Sequence, residues 1–367
     1  MKRLMQKRCL EYGFVLLISF LVSIGGLKAQ ETEKLSWREV QHRSRQWYAG
    51  EEARQIADNV LLYQHDNGGW LKNINMAREL SEAEIEELEI EKYQEIGTTI
   101  DNGATHTQLR FLARVYKATG EKKYKDAFLR GMDFLLQAQY ENGGWPQFYP
   151  IRKGYYDHIT FNDGAMMGVM NLLRDIAKQK STYSFVDKKR VQKAQNAIDK
   201  GLDIILKTQV KVDGELTIWC AQHDKDDLSP AKARAYELPS LSGKESTEIV
   251  EYLMKLDNPS KEVKQSIRSA VKWFEENKVM GLKVKWIDDP DAPEGRDRIV
   301  VKDSNGGPLW GRFNEIETGR PIFVGRDGKI KYHLNEIERE RRVNYNYIDN
   351  YAEDLLYRKY PEWEKTH

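Results

Sequence analysis

The sequence predicts an all-α fold, a ring of helical hairpins of the α/α toroid kind, with a small β-hairpin and long loops. Three observations lead there. From about residue 35 to 286 apolar residues recur at helical spacing, and no alternating strand of any length interrupts them. The heptapeptide QHDNGGW at 64–70 returns as QYENGGW at 139–145, each after a helical stretch and in a Gly-rich turn. TQVKVDGELTIW (208–219) reads as a third, degraded copy, and VMGLKVKW (279–286) as a fourth. Spacings of roughly 65 to 75 residues fit two helices plus loops per unit, and units that cannot bury their own faces stack or close into a ring.

The elements follow in order. NGATHTQLRFLARVYKAT places Leu109, Leu112, Val115 and Tyr116 on one helical face, and YKDAFLRGMDFLLQAQ does so with Phe128, Met132, Leu135 and Leu136. AMMGVMNLLRDIA is apolar on most sides, as suits a helix surrounded by others. SGKESTEIVEYLMKL opens with Ser242 and Glu245 at capping-box spacing and continues through Ile249, Val250, Leu253 and Leu256. After residue 287 the texture changes: DDPDAPEGRDR is a polar loop, PIFVGRDGKIKY reads as a hairpin about Asp327-Gly328, and a final helix is expected over 346–358.

The first 29 residues are a different polymer. Lys2, Arg3, Lys7 and Arg8 precede the apolar run FVLLISFLVSIGGL, and Ala29 offers a small residue before polar QETEK. This is the pattern of a signal peptide over 1–29, since the run is short for a bilayer span. The expectation is an exported, soluble, monomeric chain, periplasmic or extracellular, with one domain over 30–367. Without the leader 53 cationic and 56 anionic side chains remain, a net charge of about −3. That composition speaks against a nucleic-acid binder. Only Cys220 would remain, so no internal disulfide can form.

Two acidic turns stand at the starts of helices, TTIDNGAT with Asp101 and Asn102, and ITFNDGAM with Asn162 and Asp163. Each Asp can serve as an N-cap. Two such turns 62 residues apart also offer hard oxygen ligands suited to a shared Ca²⁺. WCAQHDKDDLSPAKARAYELPSLSG (219–243) holds His223, Asp224, Lys232, Arg234 and Glu237 without the spacing of a solvated helix face. RFNEIETGRPIF adds Arg312 and Arg320 beside Trp310 and Phe313. Arginines in turns near aromatics suit carboxylate ligands, which they match bidentately.

The set NGGW, TIDNGAT, NGGWPQFYP, FNDGAM, WCAQHD…PAKARAYELPSLSG and RFNEIETGRPIFVGRDGKIKYHL resembles the polysaccharide lyase family 10 pectate lyases, from about residue 48 to 350. ARAYELPSLSG is the long, specific part. Leu71, where Pro is expected, and VNYNY (343–347) depart from the pattern. The resemblance implies an (α/α)₃ toroid that cleaves polygalacturonate by Ca²⁺-dependent β-elimination, giving 4,5-unsaturated oligogalacturonides. It implies that Arg234 is the base for the C5 proton. Asp163 and Asp101, with Asn102, would help hold Ca²⁺. Arg320 would bind the uronate, with Lys232, Lys72, Arg312 and His223 as further substrate contacts. An arginine base is unusual because its pKa exceeds 12. The expectation is that adjacent cations and Ca²⁺ depress it and that activity is alkaline.

Three other protein classes share parts of this pattern. Q-x-x-x-G-x-W and DKDD (224–227) match triterpene cyclases, but a mean hydropathy of −0.71 and Arg-rich loops argue against an apolar substrate. An α/α-barrel hydrolase of unsaturated uronides would use a carboxylic acid of raised pKa and water. A non-catalytic pectin-binding protein would keep the fold without the reaction.

Overall fold

Three antiparallel helix pairs form two layers. Helices α2 (His106–Thr119) and α3 (Lys122–Gln137), α4 (Ala165–Ala177) and α5 (Lys188–Thr208), and α6 (Gly243–Met254) and α7 (Lys261–Glu276) make the pairs, preceded by α1 (Glu51–Leu62). The inner helices α2, α4 and α6 pack side by side, the outer helices α3, α5 and α7 flank them, and α1 lies against α2 and α3. The computed structural model describes residues 35–94 and 97–367, so the expected signal peptide lies outside the described residues.

The periodicity decides which faces are buried. Leu109, Leu112 and Val115 of α2 and Phe128, Met132 and Leu135 of α3 are buried, while Tyr116 and Leu136 sit at the edge of the core. Helix α4, apolar on most sides, buries Met166, Met167, Val169, Met170, Leu172 and Leu173 because helices flank it on both sides.

The repeated turns do the stapling. In each copy a buried Trp donates its indole N–H to a carbonyl near the end of the preceding outer helix: Trp70 to Val60 at 2.8 Å, Trp145 to Leu135 at 2.8 Å and Trp219 to Ile205 at 2.7 Å. That N–H satisfies a carbonyl left over at a helix terminus. The Gln that opens each copy bonds its own loop and the next outer helix: Gln64 to Ala127, Gln139 to Ala197 and Gln209 to Ser266. Gly68 (φ +93°) and Gly143 (φ +99°) lie so close to the next outer helix that a Cβ would stand 2.4 Å from the Arg130 carbonyl oxygen and 2.2 Å from that of Lys200. Only glycine permits both the conformation and the approach.

The fourth copy differs from expectation. Trp286 is exposed on a strand, and it is Trp310, at the end of NGGPLW, that donates to the Phe274 carbonyl at 2.8 Å. An inserted antiparallel hairpin, β1 (Leu282–Asp288) with β2 (Arg296–Lys302), separates the outer helix from its Trp. The hairpin about Asp327-Gly328 is present, with Phe323 opposite Lys331 and Val324 opposite Ile330. The last helix starts later than expected: Ile348–Asp349 is extended and pairs with Trp310–Gly311, and helical structure occupies 353–364. That strand turns the tail back toward the end of the ring where the inner helices begin. A second small core of Tyr236, Phe313, Phe323, Val324 and Tyr347 holds these late segments together.

Candidate active site

The inner helices α2 and α4 start from the same kind of turn, and the two turns pack against each other. In the first, Asn102 (φ +49°) and Gly103 (φ +78°) are left-handed; in the second, Asp163 (φ +50°) and Gly164 (φ +70°) are. Asn, Asp and Gly tolerate that conformation, which explains the shared N/D-G-A letters. By backbone position Asp101 therefore corresponds to Asn162, and Asn102 to Asp163. The carboxylates occupy different places in the two turns. Asp101 is buried, paired with Lys72, and accepts a hydrogen bond from Gln147 Nε2 at 2.6 Å. Asn102 is exposed and turns away to Asn73 Oδ1 at 2.9 Å.

Asp163 faces a buried cation. Arg312 Nη2 donates to Asp163 Oδ1 at 2.9 Å, to Glu245 Oε1 at 2.6 Å and to Asn162 Oδ1 at 3.1 Å. Lys244 Nζ lies 3.2 Å from Asp163 Oδ1 and 3.5 Å from Glu245 Oε1. Burial alone would raise the pKa of Asp163, but Arg312 and Lys244 reverse this and hold it at about 2. Buried Glu245 is likewise kept ionised against its desolvation, chiefly by Arg312. Glu248, one helical turn on, makes no ion pair among the described residues. Burial pushes it up to about 7, with Glu245 and Asp163 adding to the effect against Lys244 and Arg312.

Arg234 sits in the turn 231–237, where its carbonyl accepts the Glu237 N–H at 2.9 Å. Glu237 grips the guanidinium from one side, Oε2 accepting from Nε at 2.7 Å and Oε1 from Nη2 at 2.5 Å. Among the described residues Nη1 has no partner, and the side chain is 39% exposed. Glu237 Oε1 also accepts from the Tyr345 hydroxyl at 2.9 Å. The Tyr345 ring connects the two arginines, 5.7 Å from the guanidinium carbon of Arg234 and 4.5 Å from that of Arg312. Aromatic side chains continue the wall. Tyr155 lies near Arg234 and Glu237 and packs on Tyr156 with centroids 4.0 Å apart. Tyr156 meets Phe148 edge-on, and Lys72 Nζ is 5.5 Å from the Phe148 ring. One surface thus runs from Lys72 and Asp101 to Arg234.

Several expectations need correction. The neighbour of Arg234 is an anion. Burial works against its charge, but the bonds from Glu237 outweigh that and raise its pKa above the ordinary arginine value. His223, expected among the substrate contacts, is fully buried, with Nδ1 donating to the Leu228 carbonyl at 2.9 Å and Nε2 accepting the Cys220 N–H at 3.2 Å. Burial lowers its pKa to about 4, so the ring is neutral. Arg312 is 4% exposed and committed to carboxylates of the protein. Arg320 is exposed, its guanidinium carbon 3.5 Å from the centroid of the Tyr332 ring, and no contact joins it to the cluster among the described residues. Lys232 is exposed, two residues from Arg234. Glu245 carries more than the cap the sequence suggested: Ser242 does accept its backbone N–H, at 3.4 Å, while its carboxylate also receives the Asp163 N–H at 3.2 Å. The acidic loop Asp224–Asp227 is a local turn in which Asp224 Oδ1 accepts the Asp226 N–H at 2.7 Å.

The model of the family described as pectic acid lyase matches residues 64–356. A point mutant of the family 10 polysaccharide lyase from Cellvibrio cellulosa, solved in complex with trigalacturonic acid, is 34% identical, with 87% of this chain and 93% of that one covered and a TM-score of 0.72. Another structure of the family 10 polysaccharide lyase from Cellvibrio cellulosa is 33% identical over 89% of this chain and 95% of that one, also with a TM-score of 0.72. A search of curated proteins finds no match. With a family model over most of its length and two solved structures of family 10 polysaccharide lyase from Cellvibrio cellulosa a third identical over most of it, the chain belongs to the pectic acid lyase family and is a polysaccharide lyase.

Proposed function

We propose that the chain cleaves polygalacturonate by β-elimination, with Arg234 taking the C5 proton. The observation that carries this reading is the grip of Glu237 on Arg234. With Nε and Nη2 occupied, Nη1 is the nitrogen turned free toward a ligand, and its direction is fixed by a bidentate pair and two aromatic rings. A base oriented by a third group is the arrangement that proton abstraction requires. The C5 proton lies α to a carboxylate, so its removal builds negative charge on that group. The C5–H electron pair becomes the C4=C5 bond, the C4–O4 bond breaks, and the departing O4 takes a proton from water, to which Arg234 returns the one it removed. The ligand in the similar lyase structure, trigalacturonic acid, supports polygalacturonate as the substrate.

Within this reading Lys72 and Lys232 are the cations placed to meet uronate carboxylates along the wall. Arg312 acts from behind: it fixes Asp163 and Glu245 and does not touch sugar. Arg320 lies outside the wall and has no part in the step.

Asp101 and Asp163 on their adjacent turns, with the Gln147 Oε1 that is buried without a hydrogen-bond partner, make a hard-oxygen donor set that fits Ca²⁺. The set is incomplete by itself. Among the described residues no group of three or more His, Cys, Asp or Glu converges to hold a metal, and both Asp side chains already face cations. Asp101 and Asp163 would therefore hold Ca²⁺ jointly with a uronate carboxylate. When bound, the ion would supply positive charge where the developing carboxylate charge accumulates.

The test is ultraviolet monitoring of polygalacturonate between pH 7 and 10, with and without Ca²⁺, for the wild type and Arg234→Ala. A lyase creates a conjugated chromophore from intact polymer, whereas a hydrolase of unsaturated uronides destroys one. A wild type that binds polymer and forms no chromophore would refute the proposal and leave a binding protein.

A further inference from the structure

We infer that the β1–β2 hairpin carries a second polyuronate-binding surface, centred on Trp286 and Arg296, outside the cleavage site. The inference rests on polygalacturonate being the substrate and extends it to residues with no part in the proton transfer.

Trp286 caps no helix end. Trp70, Trp145, Trp219 and Trp310 are buried and each donates its indole N–H to a helix-end carbonyl, while Trp286 is 47% exposed and its indole N–H makes no hydrogen bond among the described residues. The neighbouring Ile287 is 41% exposed. A single exposed apolar residue means little. Here the surroundings repeat the chemistry of a uronate site. The hairpin register sets Trp286 opposite Arg298 and Asp288 opposite Arg296, which puts all four on one face. The guanidinium carbon of Arg296 lies 4.3 Å from the Trp286 ring centroid and that of Arg298 5.7 Å. Asp288 makes no ion pair with Arg296, and Lys283 and Lys285, on the opposite face of β1, are exposed without ion pairs among the described residues. An indole plate offers a stacking surface to the C–H face of a sugar ring, and an unpaired arginine beside it offers a bidentate partner for that sugar's carboxylate.

The surface is tied to the cleavage site by bonded neighbours. Arg298 donates to Asn346 and, through Nη2, to the Ile348 carbonyl at 2.9 Å. Asn346 follows Tyr345, whose hydroxyl holds Glu237 and whose ring lies beside both Arg234 and Arg312. A polymer long enough to leave the cleavage site thus has a cationic, aromatic platform on the adjoining segment.

The test compares Trp286→Ala, Arg296→Ala and Trp286→Tyr with the wild type on polygalacturonate and on trigalacturonate. Expected is a rise in KM for the polymer of about three- to tenfold in the two Ala variants. The kinetics on trigalacturonate stay unchanged, and Trp286→Tyr restores most of the loss. An unchanged KM for the polymer, or an equal loss on polymer and trimer, overturns the inference. Affinity electrophoresis through gels containing polygalacturonate reads the same surface without turnover. If the wild type proves inactive, retarded migration that is lost in the Ala variants still supports the surface, and retardation equal in all variants refutes it.

Discussion

Glu237 holds the guanidinium of Arg234 through both Nε and Nη2, at 2.7 and 2.5 Å, and in doing so raises the pKa of the residue assigned as the base. The neutral fraction of a base falls tenfold for each pH unit below its pKa. The rate is therefore expected to climb through the alkaline range. Glu237→Gln keeps the shape, removes the anion and lowers the arginine pKa, which moves the rising limb of the pH–rate profile to lower pH by about one unit. Arg234→Ala should cost about 10²–10⁴ in kcat. An unmoved limb in Glu237→Gln would detach the pH dependence from this pair.

Arg312 is predicted to be a stabilising residue first. Replacing it with Met leaves buried Glu245 and half-buried Asp163 as neighbouring anions with Lys244 as their remaining cation, and should cost about 3–5 kcal/mol in urea unfolding. The pH dependence has a definite sign. The folded-state pKa values of Asp163 and Glu245 are depressed, so their contribution is present above the unfolded values near 4 and is lost as pH falls. For Asp163 the loss runs down to about pH 2. Arg312→Met should flatten that acid limb.

Glu248 contributes with the opposite sign. Its folded pKa of about 7 lies above its unfolded value, so the folded state binds the extra proton and stability falls as pH rises from about 4.5 to 7. Glu248→Gln should raise stability at pH 8 by ~1–3 kcal/mol and leave pH 4 unchanged. Chemical denaturation at the two pH values checks both halves.

Trp310 and Trp286 should separate cleanly in thermal unfolding. Trp310→Ala opens the core beneath the fourth turn and should cost about 3–5 kcal/mol. Trp310→Phe loses mainly the bond to Phe274 and should cost about 1 kcal/mol. Trp286→Ala should leave Tm within a degree or two of the wild type, because an exposed side chain without a bond contributes little.

Calcium should stabilise the protein only in company. With two protein carboxylates that already face cations, Ca²⁺ alone is expected to leave Tm unchanged, whereas Ca²⁺ plus trigalacturonate should raise it. Asp163→Ala should abolish the joint effect. A strong shift with Ca²⁺ alone would point to a complete site elsewhere on the chain.

The hairpins, their inward faces and the Gly-rich turns were legible because period and turn chemistry are local. The paired acidic turns showed in their letters, and Arg234 was singled out by the family resemblance. What escaped was settled by contacts distant in sequence. Arg312 and Arg320 stand eight residues apart with similar neighbours, but pairing of the Arg312 N–H with the Tyr347 carbonyl turns one inward, and a turn ending at Gly319 leaves the other on Tyr332. Glu245 looked like a cap, since its ion pair lies 67 residues away. Tyr345 fell in a segment that departs from the expected family pattern. Trp286 stood at the right spacing for a fourth cap only because a whole hairpin had been inserted before the real one.

Arg312 also sets an order in time. It arrives late in the chain, yet its partners Asn162, Asp163 and Glu245 belong to the second and third hairpins. A chain that stops short of it has only Lys244 among those carboxylates and lacks the Tyr345 ring beside Arg234. The parts of the proposed site are therefore complete only near the end of the chain. Chains cut before that point, whether by a protease or by a stop codon, should be inactive and, without the Arg312 bonds and the small core of the late segments, less stable than the full chain.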